Sequence, residues 1–136
     1  MSAPLLVVCA ALVDGRGRVL LAERPAGKPM AGLWEFPGGK LQPDETPEAA
    51  LAREFLEELG VEIDDPEPLA FASHAYPAFH VLLLLYLCRR WRGEVVAREA
   101  QRLAWVEPQE FGAYTMPAAD RPLVAALIAR LTGPRP

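Results

Sequence analysis

Apolar residues in this chain fall into short runs separated by clusters of glycine, proline and aspartate. Runs of this length between turn-forming residues are typical of β-strands. The run VLLLLYL at 81–87 shows no alternation of apolar and polar residues, so we expect that strand to be covered on both faces. The predicted strands cover residues 5–13, 19–23, 33–36, 61–63, 69–74, 79–90, 94–97 and 103–106.

Turn-forming residues indicate how these strands are joined. The cluster DGRG at 14–17 predicts a hairpin between the first two strands, and the prolines and glycines of 24–32 predict a loop. The pair Arg92-Gly93 predicts a turn before the strand at 94–97. The last residues, 133–136, read GPRP and are expected to form a disordered tail.

Two segments have the spacing of amphipathic helices. In the first, Thr46 suits the N-cap, Pro47 the first helical position and Gly60 the residue after the last turn. The second segment, 118–131, carries leucine at every fourth position from Leu123 onward, which places these side chains on one stripe. Both helices therefore have an apolar face that can pack against a sheet.

Strands mixed with a helix on either side predict an α/β fold, a three-layer α/β/α sandwich around a mixed β-sheet. The chain has 136 residues, of which 51% are hydrophobic and 24% charged. This length and composition suffice for one hydrophobic core, so we expect residues 1–136 to form a single domain.

The first helix concentrates acidic residues on the face opposite its apolar stripe. Glu54, Glu57 and Glu58 are spaced so that their carboxylates converge, although like charges four residues apart repel and the helix C-terminus disfavours anions. A solvated acidic face is the ordinary alternative. A hard divalent cation such as Mg²⁺ would offset the repulsion, the Gly39 carbonyl could add a ligand, and Arg53 could hold Glu57 in place.

Charge and cysteine content narrow the possible partners and compartment. A net charge of −4 and a pI near 5.2 argue against nonspecific binding to nucleic acid polymers, whereas a metal could still bring a polyphosphate to an acidic protein. Cys9 and Cys88 lie in apolar runs and are expected to be free buried thiols, as in a reducing cytoplasm. No apolar run has membrane-spanning length. The sequence leaves open whether the protein is a monomer or a homodimer.

The segment from Gly39 to Val61 carries a motif of high specificity. Its pattern is Gly-x5-Glu-x7-Arg-Glu-U-x-Glu-Glu-x-Gly-U, where U is apolar, and every position matches the Nudix box. The chain thus resembles the Nudix family, whose fold is the sandwich predicted above. The resemblance implies an enzyme that uses Mg²⁺ or Mn²⁺ to hydrolyse a nucleoside diphosphate linked to another moiety.

The resemblance to the MutT branch extends over nearly the whole chain, through segments such as LLAERPAGKPMAGLWEFPGGK and MPAADRPLVAALIARL. It implies hydrolysis of a nucleoside triphosphate to the monophosphate and pyrophosphate, with 8-oxo-dGTP as the prominent substrate. Such an enzyme would keep a mutagenic base out of DNA.

The same resemblance assigns roles to the residues of the first helix and its surroundings. Glu54, Glu57 and Glu58 match metal-ligand positions, and Glu54 or Glu57 would act as base. Glu99 matches a further acid near the metals, with an exposed loop glutamate as the alternative. Lys40 could meet a phosphate or could simply be solvated.

Residues that would contact the nucleobase are Arg24, Phe36 and Asp120. Phe36 could stack on the base while Arg24 and Asp120 bond its edge. An ionised aspartate only accepts hydrogen bonds, so Asp120 would favour an amino group or an N–H of the base. The alternative role for Asp120 is the N-cap of the second helix. Phe79 stands where the best-known MutT carries a basic residue, which weakens a transfer of 8-oxo specificity.

Two other functions remain open at this stage. A Nudix pyrophosphatase could prefer CTP, dCTP, a methylated nucleotide or a nucleoside diphosphate sugar. A noncatalytic nucleotide-recognition module is the second alternative, although such modules usually lack an intact box.

Overall fold

The computed structural model describes residues 3–133, so residues 134–136 of the predicted disordered tail lie outside the described part. Within that part, none of the helices combines the length and the hydropathy needed to cross a membrane. The elements are β1 (Leu5–Leu12), β2 (Val19–Glu23), β3 (Trp34–Glu35), β4 (Gly38–Lys40), α1 (Pro47–Leu59), β5 (Glu62–Asp64), β6 (Glu67–Ala75), β7 (His80–Cys88), β8 (Arg90–Arg92), β9 (Arg102–Val106) and α2 (Arg121–Thr132), with 3-10 turns at Pro108–Ala113 and Ala118–Asp120.

The central sheet has four strands in the order β4-β1-β7-β6. Strands β1 and β7 are parallel, while β4 pairs antiparallel with β1 and β6 pairs antiparallel with β7. The sheet is therefore mixed, as the sequence predicts. A three-stranded sheet, β3-β2-β9, and the pair β5-β8 complete the strands of the described residues.

The two helices cover opposite faces of the central sheet. Along β1, alternate side chains belong to different cores because successive residues of a strand point to opposite faces. One core contains Val8, Ala10 and Leu12 with Leu51 and Phe55 of α1. The other contains the intervening β1 residues, Cys9 and Ala11, with Leu123 and Leu127 of α2. This arrangement confirms the α/β/α layers, and β7 likewise contributes side chains to both cores.

Helix α1 begins and ends as its sequence predicts. The Thr46 hydroxyl accepts a hydrogen bond from the Ala49 N–H at 3.1 Å, and Pro47 is the first helical residue. Gly60 adopts a left-handed conformation with φ 71° and donates its N–H to the Leu56 carbonyl. These caps fix the length of the helix that carries the glutamates.

Three sequence predictions differ from the structure, and one strand was not predicted. The predicted hairpin at 14–17 closes with a single bridge, Val13 to Val19, because β2 leaves the central sheet to pair with β3 and β9. The strand that was not predicted is β4, which contains Gly38 and Gly39. The strand 79–90 is interrupted at Arg89, and residues 94–97 form no strand, because the chain there bonds the end of α1 through Val96 N–H and the Leu59 carbonyl.

Candidate active site

Arg53 lies at the centre of a cluster of acidic side chains on α1 and the loop before it. Its Nε donates to Glu45 Oε2 at 2.7 Å, and its Nη1 lies 2.9 Å from Glu54 Oε1 and 3.5 Å from Glu57 Oε2. Its Nη2 donates to the Lys40 carbonyl at 3.2 Å. One guanidinium therefore ties β4, the following loop and two of the predicted metal ligands together.

The ion pairs of Arg53 shift the pKa values of the groups involved. Hydrogen bonds from Arg53 lower the pKa of Glu45 to about 2, and the same contact raises the pKa of Arg53. Glu45 also accepts the Gln42 N–H at 2.9 Å. Glu45 thus shapes the loop and anchors Arg53.

The negative charges of Glu54 and Glu58 are only partly compensated by positive charges and hydrogen-bond donors around them. Burial raises the pKa of Glu58 to about 9, with further contributions from the charges of Glu54, Glu99 and Glu35. Burial also raises the pKa of Glu54, although Arg53 opposes the shift. One oxygen of Glu58, Oε2, is buried without a hydrogen-bond partner in the described residues. Glu57 is the more exposed of the three helix glutamates.

Gly39 packs directly against the carboxylate of Glu54. A Cβ built on Gly39 would overlap the Glu54 carboxyl group and would lie 2.7 Å from its Oε2. The register of β4 on β1, with Gly39 opposite Val8, places the glycine backbone at this position. Only a residue without a side chain leaves room there for the carboxylate.

These residues fit a divalent cation. Within residues 3–133, no three His, Cys, Asp or Glu side chains are already arranged to hold a metal ion. However, the unpartnered Glu58 oxygen and the raised pKa values of Glu54 and Glu58 mark a place where negative charge lacks a counter-charge. Oxygen donors of this kind suit Mg²⁺ or Mn²⁺.

Glu99 lies near this cluster but on an exposed turn. Its charge raises the pKa values of both Glu54 and Glu58, and with Glu58 it lines a small cavity of about 80 Å³. The turn is held to the end of α1, because Gln101 Nε2 donates to the Glu58 carbonyl at 3.1 Å while Gln101 Oε1 accepts the Glu99 N–H at 2.9 Å. The structure therefore places Glu99 near the predicted metal ligands, although no hydrogen bond in the described residues joins its side chain to theirs.

A larger cavity of about 790 Å³ opens beside the acidic cluster. This volume is typical of small-molecule sites. Five residues singled out from the sequence line it, namely Arg24, Phe36, Gly39, Lys40 and Asp120. Phe36 is 3% exposed and Lys40 is exposed. Because Gly39 lines the cavity and packs against Glu54, the cavity lies next to the acidic cluster.

Asp120 is buried in the wall of this cavity. It is 5% exposed and occupies the N-cap position of α2, as the alternative interpretation expected, but its side chain makes no capping hydrogen bond. Burial raises the pKa of Asp120 to about 7, the nearby charge of Glu35 adds to the shift, and Arg24 opposes it. The carboxyl group is therefore near its titration midpoint at neutral pH.

Two further residues line the cavity that the sequence did not single out. Glu35 accepts hydrogen bonds from Arg24 Nη1 at 3.1 and 3.3 Å, while Arg24 Nε donates to the Pro29 carbonyl at 2.7 Å. Tyr76 accepts the Ala119 N–H through its hydroxyl oxygen at 3.1 Å. Glu35 could have been found from the sequence, because it is a charged residue inside the apolar stretch LWEF. Tyr76 could not, because its hydrogen-bond partner is 43 residues away along the chain.

Comparison with known proteins identifies the family of this chain. Residues 8–126 match the NUDIX domain. The chain is 39% identical over 125 residues to a CTP pyrophosphohydrolase of Escherichia coli (strain K12), covering 92% of this chain and 93% of that protein. It is 34% identical over 129 residues to an 8-oxo-dGTP diphosphatase of Haemophilus influenzae, covering 94% and 95%.

A solved structure supports the same assignment. The MutT Nudix hydrolase of Burkholderia pseudomallei superimposes with a TM-score of 0.83 at 30% identity, covering 92% of this chain and 98% of that one. The matched domain contains the acidic cluster and most of the residues that line the cavity. The chain therefore belongs to the Nudix hydrolase family, in its MutT-like branch, and is an enzyme of the nucleotide pyrophosphohydrolase class.

Proposed function

We propose that this enzyme hydrolyses a nucleoside triphosphate to the monophosphate and pyrophosphate in a Mg²⁺-dependent reaction, with an oxidised nucleotide such as 8-oxo-dGTP as substrate. The observation that carries the proposal is that an acidic, Arg53-centred cluster lies next to a cavity of about 790 Å³, with Gly39 between them. The cluster supplies a site for phosphate chemistry and the cavity has room for a purine nucleotide. Relatives named 8-oxo-dGTP diphosphatase support this choice of substrate.

Glu54, Glu57 and Glu58, with Glu99 and the Gly39 carbonyl, would hold Mg²⁺ or Mn²⁺, which when bound offsets the charge of the phosphates and lowers the pKa of water. Arg53 keeps Glu54 and Glu57 on one side of the site through its two ion pairs. Glu54 or Glu57 accepts the proton of the attacking water. Lys40, exposed at the cavity beside Gly39, meets the phosphates.

The base would occupy the far end of the cavity from the glutamates. Phe36 offers an aromatic ring for stacking, and Asp120 accepts an N–H of the base when it is ionised. Arg24 already donates to Glu35 and to Pro29, so it holds Glu35 in place and has limited capacity to bond the base edge. The pocket thus selects a base by its N–H groups.

A cytosine nucleotide is the second candidate substrate. The 39% identical relative is a CTP pyrophosphohydrolase, and the amino group of cytosine is a donor that Asp120 can accept. Replacing this carboxylate by an amide, as in Asp120→Asn, keeps one acceptor and adds donors. This substitution should therefore change the order of preference among bases.

Initial rates with Mg²⁺ on 8-oxo-dGTP, dGTP, dCTP, CTP and ADP-ribose, with chromatographic separation of products, test the choice of substrate. The proposal expects the highest kcat/KM on 8-oxo-dGTP. A preference for CTP or dCTP would support the second candidate, and a preference for ADP-ribose would contradict both. Binding without Mg²⁺-dependent turnover would indicate a noncatalytic module.

We also propose that the enzyme acts in the cytoplasm, as a monomer or a homodimer, where it would remove damaged nucleotides before DNA synthesis. The two cysteines, Cys9 and Cys88, are free and buried, which suits a reducing compartment. The elution volume of the purified protein with light scattering would determine the oligomeric state.

A further inference from the structure

Asp120 lies on a short turn directly before α2. The turn consists of three residues in a 3-10 conformation, Ala118–Asp120, and its backbone bonds run from the Asp120 N–H to the Pro117 carbonyl at 3.0 Å and from the Arg121 N–H to the Ala118 carbonyl. The Asp120 side chain makes no capping bond to α2. Contacts from other elements therefore contribute to holding this carboxyl group in the cavity.

Tyr76, in the loop between β6 and β7, supplies such a contact. Its hydroxyl oxygen accepts the N–H of Ala119, the residue next to Asp120, at 3.1 Å. The bond joins the β6–β7 loop to the turn before α2 across 43 positions of the chain. It is partly buried, so its loss would leave the Ala119 N–H without this acceptor.

The Tyr76 ring is itself held firmly. It packs against the core on the α2 side of the sheet, and its centroid lies 4.5 Å from that of His74 and 5.1 Å from that of Phe79. The Tyr76 N–H donates to the Phe79 carbonyl at 2.8 Å, and the Phe79 N–H donates to the Tyr76 carbonyl at 3.3 Å. The hydroxyl thus projects from a turn that is closed by two backbone hydrogen bonds.

The same loop lines the cavity that contains Phe36 and Asp120. Tyr76, Phe79 and His80 are all part of its wall. A tyrosine that both lines the cavity and binds the turn of Asp120 links the position of the wall to the direction of the carboxyl group. A phenylalanine ring could form the same part of the cavity wall, but only the tyrosine hydroxyl can accept a hydrogen bond from the Ala119 N–H.

We propose that Tyr76 is a positioning residue for base selection: by accepting the Ala119 N–H, its hydroxyl fixes the turn that presents Asp120 to the nucleobase. This inference rests on the proposed function, because it requires that Asp120 reads the base. Tyr76 touches neither the acidic cluster nor the phosphates in this account. Its loss should therefore affect KM and base selection, and leave kcat nearly unchanged.

The test is Tyr76→Phe, which keeps the ring and removes one oxygen atom. For the preferred nucleotide, KM should rise about five- to tenfold with kcat within about twofold, while KM for the poorest nucleotide should stay the same. In an Asp120→Ala background, Tyr76→Phe should cause no further loss of selection. Tyr114→Phe is the matched control, since Tyr114 packs against Trp34 with centroids 5.1 Å apart and lines a different cavity.

A second measurement follows the hydrogen bond between the Ala119 N–H and the Tyr76 hydroxyl without any catalytic turnover. Exchange of the Ala119 amide proton, measured by NMR, should become about tenfold faster in Tyr76→Phe and remain unchanged in Tyr114→Phe. If the wild-type enzyme selects among bases and Tyr76→Phe selects equally well, this inference is overturned while the proposed function stands. Equal losses on every nucleotide would also overturn this inference. A wild-type enzyme without base selection would overturn both this inference and the proposed reading of the base by Asp120.

Discussion

Individual residues of the active site differ in how well their charges are balanced. Glu45 is paired with Arg53 and has its pKa lowered, whereas Glu58 is buried with an unpartnered oxygen and has its pKa raised. Both glutamates belong to the same motif of the sequence. Glu45 therefore has a structural role, whereas the negative charge of Glu58 is not compensated by the described residues.

We predict that Glu54→Gln and Glu57→Gln each lower kcat by about a hundredfold or more, because each removes a negative charge from the cation site and a candidate base. The thermal melting temperature should hardly change, since the amide keeps the size of the side chain. Steady-state rates with Mg²⁺ provide the measurement. Glu62→Gln, an exposed glutamate paired with Arg92 outside the site, is the control. Near wild-type rates in both active-site variants would contradict the assignment.

Asp120 should make base selection depend on pH. Its pKa of about 7 means that the acceptor form becomes dominant as pH rises from 6 to 8. The ratio of kcat/KM between a base that donates to Asp120 and one that cannot should therefore increase over this range. The ratio cancels titrations that affect catalysis on both substrates. In Asp120→Asn the ratio should be flat, and an equally steep wild-type and variant profile would show that another group titrates.

The same shift predicts an effect on folding stability. The pKa of Asp120 is about 7 in the folded protein and near 3.8 in the unfolded chain, so the folded protein binds this proton more tightly. The resulting stabilisation is complete below pH 4 and is lost as pH rises through about 7. An asparagine does not ionise, so Asp120→Asn avoids this loss of stability. Relative to wild type, the variant should gain on the order of a few kcal/mol in free energy of unfolding between pH 4 and pH 8. Urea unfolding at both pH values measures this; a constant difference would refute it.

At the scale of elements, local signals predicted helix α1 well and predicted the ends of strands less well. Thr46, Pro47 and Gly60 act within one turn of the helix, so their effects can be read from neighbouring residues. By contrast, residues 94–97 were expected to form a strand, but their backbone bonds the end of α1. That outcome depends on a partner about 37 positions earlier, which no local pattern reports.

Strand β4 provides a prediction that separates catalysis from folding. The three atoms nearest to a Cβ on Gly39 would all belong to the Glu54 carboxylate, the far end of a flexible side chain, so Gly39→Ala should displace this group and reduce kcat about a hundredfold with little change in stability. A Cβ on Gly38 would overlap the Val8 carbonyl and lie 2.6 Å from Cys9 Cα. Since backbone atoms cannot move aside, Gly38→Ala should lower the free energy of unfolding by about 1–3 kcal/mol.

Rates and urea unfolding of the two alanine variants check this contrast. Each variant serves as the control for the other, because the two glycines are adjacent on one strand. A fully active Gly39→Ala enzyme would show that the Glu54 carboxylate tolerates displacement. A Gly38→Ala protein as stable as wild type would show that β4 can shift away from β1.

At the scale of the whole molecule, the sequence predicted the layers and the acidic cluster but only part of the pocket. The acidic residues could be predicted because they share one helix and one motif. The wall of the cavity combines β1, β3, the β6–β7 loop and the turn before α2, which only the tertiary structure brings together. Tyr76 was missed for this reason, and Asp120 occupies the N-cap position of α2 without a capping bond from its side chain.

The proposed reaction is Mg²⁺-dependent cleavage of a nucleoside triphosphate between its α- and β-phosphates. Hydrolysis of 8-oxo-dGTP in ¹⁸O-labelled water, with Mg²⁺ and with excess EDTA, distinguishes this cleavage from others when both products are analysed by mass spectrometry. We expect nucleoside monophosphate and pyrophosphate, with the label in pyrophosphate if water attacks the β-phosphorus as the resemblance to the family implies, and no turnover with EDTA. Release of inorganic phosphate and the nucleoside diphosphate, or equal rates with EDTA, would contradict the proposal.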